Sequence, residues 1–577
     1  MENKIAKQLN CSHRHRNHLK IMSGLVGASF ASIFLVVLVS LVLNSVIVSR
    51  TETTLERIDA LLPAPLDVQE SCSVGVDTNR RQRAYAHRIS TAAVQNVRAV
   101  PCHFNNGDEA LYASTRAASF TKGLPHDLYG HVSSSAYNQL LRAVQTGSPA
   151  DYDAIPLAPN ATRKLTNPQA ANALTLEGSD SQTFSQPPPP TFASAEQGAE
   201  MIENYALALL RDVNFDDYGT NPLATTLIAD LNAVAGAYNG TVPITAGNLF
   251  RGTSAGCLVG PYLSQFFYQP CPFGAMTIDM RIKTSTAGID FMTNYSEWLA
   301  IQRGWTPSST LTFSPTPVYM RNGRDLGQFV HVDILYEAYF NAMLVLFTIN
   351  APLKPNIPYV TTELDQMGFG TFGSPFITSL LAKVAENALK TVWFQKFLVH
   401  RRMRPELFAG RIHLHKTGTY TYSPPPHNNV LNSAALAQVF ANTGTYLLPQ
   451  AYPEGSPLHP SYGAGHATVA GACVTILKAF FVEETVIASP LRPSSDGLTT
   501  VPFVGPDLTV IGELNKIAWN VAIGRNFGGV HWRSDAIASL QLGQDVAVEI
   551  LRDIRGNYPE PFTGYSFTGF NGETVVV

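Results

Sequence analysis

The sequence predicts a mainly α-helical fold with long irregular connections. Five segments carry apolar residues at helical spacing or begin with a helix-capping residue, and no alternating polar and apolar run of strand type dominates. Charged residues make up only 14% of the 577 residues and hydrophobic residues 45%, so much of the chain must be buried. The predicted helices are residues 194–212, 325–346, 379–399, 513–523 and 534–554.

The helices are predicted from their starts and from their apolar faces. Ser194 is an N-cap residue, and Glu196 and Gln197 follow it in the first turn. The helix at 379–399 has a broad apolar face formed by Leu380, Leu381, Val384, Leu389, Val392 and Trp393. Between the helices, residues 145–195 are rich in Ala, Asn, Pro, Ser and Thr and are predicted to form a surface arm.

An uncharged apolar segment at 21–49 is long enough to span a bilayer. Because basic residues precede it, the positive-inside rule keeps residues 1–20 in the cytosol and exports the rest. We expect a cytosolic basic terminus at 1–20, a signal-anchor or transmembrane segment at 21–49, an N-terminal extension with surface arms at 50–190 and a helical catalytic domain at 191–577. A cleaved signal peptide, which would make the protein secreted, is the alternative.

Charge and cysteine content narrow the class of protein further. A formal net charge of −3 and the lack of a long basic run after residue 20 argue against nucleic acid as a partner. Export permits disulfides, and we expect the local pairings Cys72–Cys102 and Cys257–Cys271. Cys473 lies in a predicted helix and is expected to be a buried free thiol.

Three distant segments carry basic and imidazole groups in this charge-poor chain. The first contains Lys396 and Arg404. Pro405 disfavours helical geometry at Arg404, so the chain should turn there and allow Arg404 to fold back towards Lys396. Arg401 and Arg402 are instead expected to form a solvated basic helix end.

The second segment, residues 459–481, begins as a glycine-bearing loop and continues as a helix of small and apolar residues. Gly465 and His466 fall at the helix N-terminus, where unpaired backbone N–H groups and the helix dipole favour an anion. A buried helix with a satisfied core histidine explains this segment alone equally well.

The third segment contains a pair of glycines that permit a sharp turn. Gly528 and Gly529 should bring Arg525 and His531 to one site, before Ser534 begins the next helix. A purely structural glycine turn is the alternative for this segment taken alone.

Together, these residue types describe a phosphate-like anion site. Lys396, Arg404 and Arg525 would supply cationic donors, and the Gly465 amide would add a backbone donor. His531 would then act as a nucleophile or a metal ligand, and a second histidine, His466, would act as general acid and base.

The pattern Lys-x7-Arg-Pro, then Pro-Ser-Tyr-x-x-Gly-His, then Arg-x5-His-x3-Asp, over residues 396–535, resembles the vanadium-dependent haloperoxidases. Their site is shared with the type 2 phosphatidic acid phosphatase superfamily. The surrounding chain is similar to the algal and cyanobacterial bromoperoxidase branch. The resemblance implies a helical-bundle haloperoxidase-like core in which His531 is the vanadium ligand. It further implies that vanadate is bound by Lys396, Arg404, Gly465, His466, Arg525 and His531.

The resemblance also implies an activity: oxidation of bromide and iodide by hydrogen peroxide to hypohalous acid, which halogenates a small organic acceptor. Lys396 and His531 would be catalytic together with the acid–base His466. His459 matches an extra histidine of the bromoperoxidases and would be catalytic and halide-tuning. Trp393, which chloroperoxidases and some bromoperoxidases carry, would be the second halide-tuning residue.

Further implications concern the cofactors and partners. Ala464 stands where many family members carry a serine whose hydroxyl bonds to vanadate. Relatives form dimers or larger assemblies, so a homo-oligomer is expected, with membrane contact through the N-terminal segment. Related algal enzymes bind structural calcium before the lysine-bearing helix, where Glu363, Asp365 and Gln366 offer oxygen ligands; a solvated turn is the alternative.

Two other functions remain open. One is a phosphatase that uses His531 as nucleophile in the same anion site. The Lys-x7-Arg spacing, one residue longer than is usual in phosphatases, and the single apolar segment argue against it. The other is a non-catalytic anchored protein with a degraded site, of which Ala464 would be the first loss.

Overall fold

The computed structural model describes residues 79–577 except 239, 241, 242 and 362–364, and the fold of this part is mainly α-helical, as predicted. Its sixteen α-helices are α1 (Arg80–Asn96), α2 (Asp108–Leu111), α3 (Ser134–Thr146), α4 (Pro149–Asp153), α5 (Ala195–Leu209), α6 (Pro222–Ala233), α7 (Tyr295–Gln302), α8 (Gly323–Val332), α9 (Glu337–Thr348), α10 (Ser374–Phe394), α11 (Pro405–Lys416), α12 (Asn428–Leu431), α13 (Ala434–Thr443), α14 (Gly465–Phe480), α15 (Val510–Phe527) and α16 (Arg533–Ile554).

The strands of the described residues are short and form three separate antiparallel pairs. They are β1 (Cys271–Phe273) with β2 (Met276–Ile278), β3 (Leu491–Pro493) with β4 (Thr500–Pro502), and β5 (Ser566–Thr568) with β6 (Thr574–Val576). No larger sheet forms within this part of the chain, which agrees with the lack of a dominant alternating pattern in the sequence.

Two compact units divide the chain, residues 1–94 and residues 95–577. The described residues of the first unit belong mainly to α1, a helix without a buried side chain. The second unit contains the remaining helices and all the strands of the described part, so residues 95–190 share it with the predicted catalytic domain.

The predicted basic terminus at 1–20 and the predicted membrane segment at 21–49 lie outside the described residues. Within the described residues, no single helix combines the length and apolar character needed to cross a membrane. One pair of helices, α8 and α9, meets that length and composition only when counted together across a bend of 103°.

Helix α14 lies at the centre of the core, and every one of its residues except His466 is buried. Its close packing against α16 depends on two glycines. A Cβ on Gly471 would lie 2.1 Å from the Leu540 carbonyl oxygen, and one on Gly543 would lie 2.0 Å from the Thr468 carbonyl oxygen. Only glycine therefore lets these two helix backbones approach each other.

The prediction of one continuous helix at 325–346 is wrong, because the structure has two helices, α8 and α9, at 103° to each other. Asp333 adopts extended geometry (φ −59°, ψ 147°) directly after α8. The next turn is closed locally: the Glu337 N–H donates to the Ile334 carbonyl oxygen (2.8 Å), and the Ile334 N–H donates to Glu337 Oε2 (3.0 Å). These bonds replace the helical ladder and stabilise the bend.

The other predicted helices are present with small shifts at their ends. Helix α5 begins after Ser194, whose hydroxyl oxygen accepts the Gln197 N–H at 3.1 Å, as expected of an N-cap. Helix α10 begins earlier than predicted and passes at its end into a π-helix, Gln395–His400. Such π-helical turns are rare and occur frequently at functional sites.

The cysteine predictions have a mixed outcome. The predicted Cys257–Cys271 disulfide is wrong, because both thiols are free and buried; the Cys271 thiol faces the Asn341 carbonyl oxygen at 3.8 Å. The remaining prediction for a free, buried Cys473 is confirmed. Cys102 is disulfide-bonded, and its predicted partner, Cys72, lies outside the described residues.

Candidate active site

Lys396, in the π-helix, reaches the loop that precedes α14. Its ammonium group is fully buried and donates to the carbonyl oxygens of Pro460 (2.6 Å) and Ser461 (3.0 Å). Burial lowers the pKa of Lys396 well below its usual value, and the positive charge of Arg404 lowers this pKa further. The same ammonium lies 5.7 Å from the centroid of the Trp393 ring, within range of a cation–π interaction.

Arg404 joins all three predicted segments. Its extended backbone (φ −88°, ψ 157°), predicted from Pro405, aims the guanidinium back into the core. Nε and Nη2 donate to the His459 carbonyl oxygen (3.1 and 3.0 Å), and Nη1 donates to the Val530 carbonyl oxygen and to His531 Nε2 (both 2.8 Å). Burial lowers the pKa of this guanidinium to about 9.

The His531 ring is oriented by the last residue of its motif. Nδ1 lies 2.8 Å from Asp535 Oδ2, and the Ser461 hydroxyl donates to the same carboxylate oxygen. Because Arg404 donates to Nε2, these neighbours assign the ring proton to Nδ1 and a lone pair to Nε2. Burial lowers the pKa of His531 well below its usual value, as do the charges of Arg404 and Lys396.

Arg525 approaches from α15. Its Nη1 donates to the Val330 carbonyl oxygen at 2.6 Å, and its guanidinium carbon lies 5.8 Å from the centroid of the Tyr452 ring. Its Nε is buried and has no hydrogen-bond partner among the described residues. The predicted glycine turn follows: Gly529 has φ +83°, and a Cβ there would lie 2.6 Å from Gln450 Nε2.

The start of α14 adds a backbone donor and a second imidazole. Gly465 is the first residue of the helix, so its N–H has no intrahelical acceptor. The preceding amide, that of Ala464, donates to Ser539 Oγ at 2.8 Å. The His466 side chain is 30% exposed, and its Nε2 lies 2.9 Å from Asp333 Oδ1.

Asp333 is the site residue that the sequence interpretation missed. It was assigned to the interior of a continuous helix, whereas it lies at the bend between α8 and α9. A signal was available in the sequence: an aspartate, which disfavours the interior of a helix, stands between Val332 and Ile334.

The two predicted halide-tuning residues lie side by side. The ring centroids of Trp393 and His459 are 4.7 Å apart. The Trp393 indole N–H donates to the Thr166 carbonyl oxygen at 3.2 Å, so the predicted surface arm helps to position this ring. Burial lowers the pKa of His459 well below its usual value, and the charge of Lys396 contributes.

The prediction of a solvated basic end at Arg401 and Arg402 is wrong, because both side chains are buried. Arg402 donates through Nη1 to Asp535 Oδ1 (2.7 Å) and through Nη2 to Glu200 Oε2 (2.9 Å), while Arg401 Nε donates to Glu109 Oε2 (2.8 Å). Carboxylates from distant parts of the chain therefore enclose these arginines, and one of them also holds His531.

The donor set of this site suits an oxyanion. His531 lies among three buried cations: Arg404 contacts its Nε2 at 2.8 Å, and the charges of Lys396 and Arg525 also lower its pKa, while the nearby carboxylate, Asp535, is already bonded to His531 and Arg402. Among the described residues, no group of three or more His, Cys, Asp or Glu side chains could hold a metal ion. The residues therefore fit vanadate held through its oxygens and one imidazole, and they fit phosphate equally well.

The predicted calcium loop is only partly described. Asp365 and Gln366 are exposed, and Glu363 lies outside the described residues. Calcium at this loop stays a prediction.

Comparison with known proteins gives one consistent result. A family model described as the VCPO second helical-bundle domain matches residues 380–556. The vanadium-dependent bromoperoxidase of Corallina pilulifera is 34% identical over 591 aligned positions, which cover 86% of this chain and 98% of that protein. The corresponding protein of Ascophyllum nodosum is 33% identical over 538 positions, covering 88% and 95%. The homohexameric structure of the second vanadate-dependent bromoperoxidase (AnII) from Ascophyllum nodosum matches with a TM-score of 0.82 and 30% identity, covering 90% of this chain and 95% of that one.

Proposed function

Because this chain belongs to the family of vanadium-dependent bromoperoxidases, we propose that it oxidises bromide and iodide with hydrogen peroxide and thereby halogenates organic acceptors. The observation that carries the proposal is the lone pair of His531 Nε2 within a cluster of buried cations. When bound there, vanadate supplies a Lewis acid that makes peroxide electrophilic. Bromide gives two electrons to peroxide and takes one of its oxygens as the oxygen–oxygen bond breaks; with one added proton, the products are hypobromous acid and water.

His531 would hold vanadium through Nε2, the nitrogen that faces Arg404 Nη1 in this structure. Asp535 Oδ2 accepts a hydrogen bond from the Nδ1–H and so keeps the lone pair on the other nitrogen, while Ser461 donates to that same oxygen and Arg402 to Oδ1. A carboxylate behind a ligating imidazole also raises the basicity of the ligand.

Lys396, Arg404 and Arg525 balance the negative charge of the bound oxyanion. The positive charges of these side chains are buried and repel one another, so an anion between them is favourable. The lowered pKa values of Lys396 and Arg404 reflect the same burial and repulsion without an anion. The Gly465 amide, at the start of α14, adds a donor that carries the positive end of the helix dipole. These donors stabilise the charge that develops on oxygen.

His466 is the general acid and base. It accepts a proton from hydrogen peroxide and returns one to the oxygen that leaves after oxidation of the halide. Asp333 orients its imidazole through the contact at Nε2. The partial exposure of His466 lets it exchange protons with solvent, which the buried His531 cannot do as easily.

Trp393 and His459 set the halide preference towards bromide and iodide rather than chloride. They form one wall, in which His459 contacts Arg404 through Nδ1 (3.0 Å) and Trp393 lies against the start of α14. A Cβ on Gly465 would lie 3.5 Å from the indole ring, so the ring and the Gly465 backbone border the same space.

The decisive experiment separates the peroxidase from a phosphatase, which the same anion site would also accommodate. The purified chain is stripped of metal, incubated with orthovanadate and assayed for bromination of a phenol with hydrogen peroxide and bromide. In parallel, hydrolysis of a phosphate ester is measured without vanadate. We expect vanadate-dependent bromination. Ester hydrolysis without bromination would identify the phosphatase, and the lack of both activities would identify a non-catalytic protein.

The location and assembly of the protein are further proposals. Residues 21–49 anchor it in a membrane with residues 50–577 outside the cytosol, or are cleaved so that the protein is secreted; the apolar length and the preceding basic residues support export. Protease accessibility on intact cells, with N-terminal sequencing of the mature chain, tests both forms. The homohexameric relative supports a homo-oligomer, which light scattering after size-exclusion chromatography tests.

Structural calcium is proposed for the loop at 359–366 because it carries oxygen ligands of the required type. A rise in melting temperature on adding calcium to the chelator-treated protein is expected. An Asp365→Asn variant should lose that rise, and an unchanged response in this variant would contradict the proposal.

A further inference from the structure

The proposed active site opens to solvent next to His466. Among the side chains proposed to hold vanadate, those of Lys396, Arg404, Arg525 and His531 are buried, whereas 30% of the His466 side chain is exposed. The turn between α8 and α9 borders this opening, because Asp333 of that turn is bonded to His466.

That turn exposes apolar side chains immediately on both sides of Asp333. Val332 and Ile334 are each 70% exposed, and Leu335 is 38% exposed. The turn is held by two hydrogen bonds between Ile334 and Glu337, so these side chains are presented on a fixed backbone. A cluster of apolar side chains beside an active site is typical of a binding surface.

We infer that Val332, Ile334 and Leu335, named here the apolar rim, bind the organic acceptor, and that this acceptor is an uncharged, apolar and electron-rich molecule such as an alkylphenol. The inference rests on the proposed function. In the transfer step, a carbon–bromine bond forms as the bromine–oxygen bond of hypobromous acid breaks. The acceptor carbon loses its proton, which the leaving hydroxide takes up to form water.

Two features of the rim determine the class of acceptor. The three side chains flank Asp333 at the opening next to His466, so a small molecule bound to them lies beside the place where the halide is oxidised. The carboxylates of Asp333 and Glu337 lie on the same turn and disfavour an anionic acceptor.

A competition assay tests the inference. The vanadate-loaded enzyme receives an equal mixture of a para-alkylphenol and a phenol with a hydroxyl group at the end of the same side chain, and the ratio of the two brominated products is measured. The same mixture treated with reagent hypobromous acid gives the reference ratio. A Val332→Thr/Ile334→Thr double variant keeps the β-branched shape while removing apolar surface, and Val504→Thr, at a 91% exposed valine in another loop, is the matched control.

The wild-type enzyme and the Val504→Thr control should favour the alkylphenol about fivefold over the reagent ratio, as expected for burial of part of two aliphatic side chains. The double variant should return to the reagent ratio at an unchanged rate of bromide oxidation.

A wild-type ratio equal to the reagent ratio would overturn this inference but leave the proposed function intact. A double variant with an unchanged ratio and a changed oligomeric mass would also overturn it and identify the rim as a subunit contact. Absence of bromide oxidation in the wild type would overturn the proposed function and this inference together.

Discussion

His466 Nε2 lies 2.9 Å from Asp333 Oδ1, and this contact joins the start of α14 to the bend between α8 and α9. An Asp333→Asn variant keeps the size of the side chain and removes its charge. We expect kcat for bromide oxidation to fall about tenfold, and His466→Ala to lower it about a hundredfold or more, as for loss of a general acid–base.

The measurement is the initial rate of bromide oxidation at saturating vanadate, with the vanadium content of each variant determined separately. Asp496→Asn, on a loop far along the chain, is the control and should keep the wild-type rate. Full activity of both Asp333→Asn and His466→Ala would remove His466 from the mechanism.

The parts of the site that the sequence predicts are those encoded by local backbone geometry. Pro405 restricts Arg404 to extended geometry, which turns its guanidinium inwards. In the Gly528–Gly529 pair, Gly529 adopts the positive φ that such a turn requires. Helix spacing and capping likewise predict most of the core helices, since these signals lie within a few residues of each other.

The parts that the sequence does not predict are contacts between distant segments. Arg402 was expected to be solvated because its acidic partner Glu200 lies about two hundred residues away and no spacing rule connects them. The sequence does not predict the bend at Asp333 because apolar residues on both sides continue a helical pattern, whereas the turn is closed by two bonds, from the Ile334 N–H to the Glu337 carboxylate and from the Glu337 N–H to the Ile334 carbonyl oxygen. Thr166 holds Trp393 through its backbone carbonyl oxygen, and because every residue has such a group, the sequence gives no sign of this contact.

His531→Ala should abolish vanadium binding, because His531 Nε2 is the proposed protein ligand. After reconstitution and gel filtration, elemental analysis should find vanadium in the wild type and none in the variant. His415→Ala, in α11, is the control for loss of an imidazole elsewhere. Stoichiometric vanadium and normal turnover in His531→Ala would contradict the assignment of the ligand.

Ala464→Ser should tighten vanadate binding. Ala464 is buried directly before Gly465, at the helix N-cap, and a serine hydroxyl there adds one donor beside the anion. One hydrogen bond to a charged group contributes about 1.5 kcal/mol, so the dissociation constant should fall about tenfold. Equilibrium dialysis with vanadate measures it, and Ala464→Gly, which adds no hydroxyl, should show no such gain. Equal affinity of the serine variant and the wild type would mean that the hydroxyl does not reach the anion.

Asp545→Asn should stabilise the protein at neutral pH and not in acid. Burial raises the pKa of Asp545 from 3.8 to about 6. The folded state therefore binds more protons than the unfolded state between these values, so stability falls as pH rises from about 4 to about 6. Asparagine removes the charge and keeps an acceptor for Gln541 Nε2, which donates at 2.9 Å.

We expect a gain of about 1 kcal/mol at pH 7.5, visible as a higher melting temperature, and no gain at pH 4. The control is Asp496→Asn: hydrogen bonding from Ser494 lowers the pKa of Asp496, so the same substitution should give no gain at neutral pH. An equal gain for Asp545→Asn at both pH values would show that its cause is not the buried charge.

Arg402→Met should destabilise the fold strongly. Its guanidinium is the buried partner of both Glu200 and Asp535, and its removal leaves two carboxylates buried without that cation. Breaking such a pair costs about 3–5 kcal/mol.

Arg492→Met is the matched control, because its ion pair with Asp216 is exposed and should contribute less than about 1 kcal/mol. Chemical denaturation followed by tryptophan fluorescence measures both losses. A Glu200→Gln substitution added to Arg402→Met should recover part of the loss, since it removes one of the unpaired charges. If the two single variants lost the same small amount, burial of the Arg402 charge would not contribute to the stability of the site.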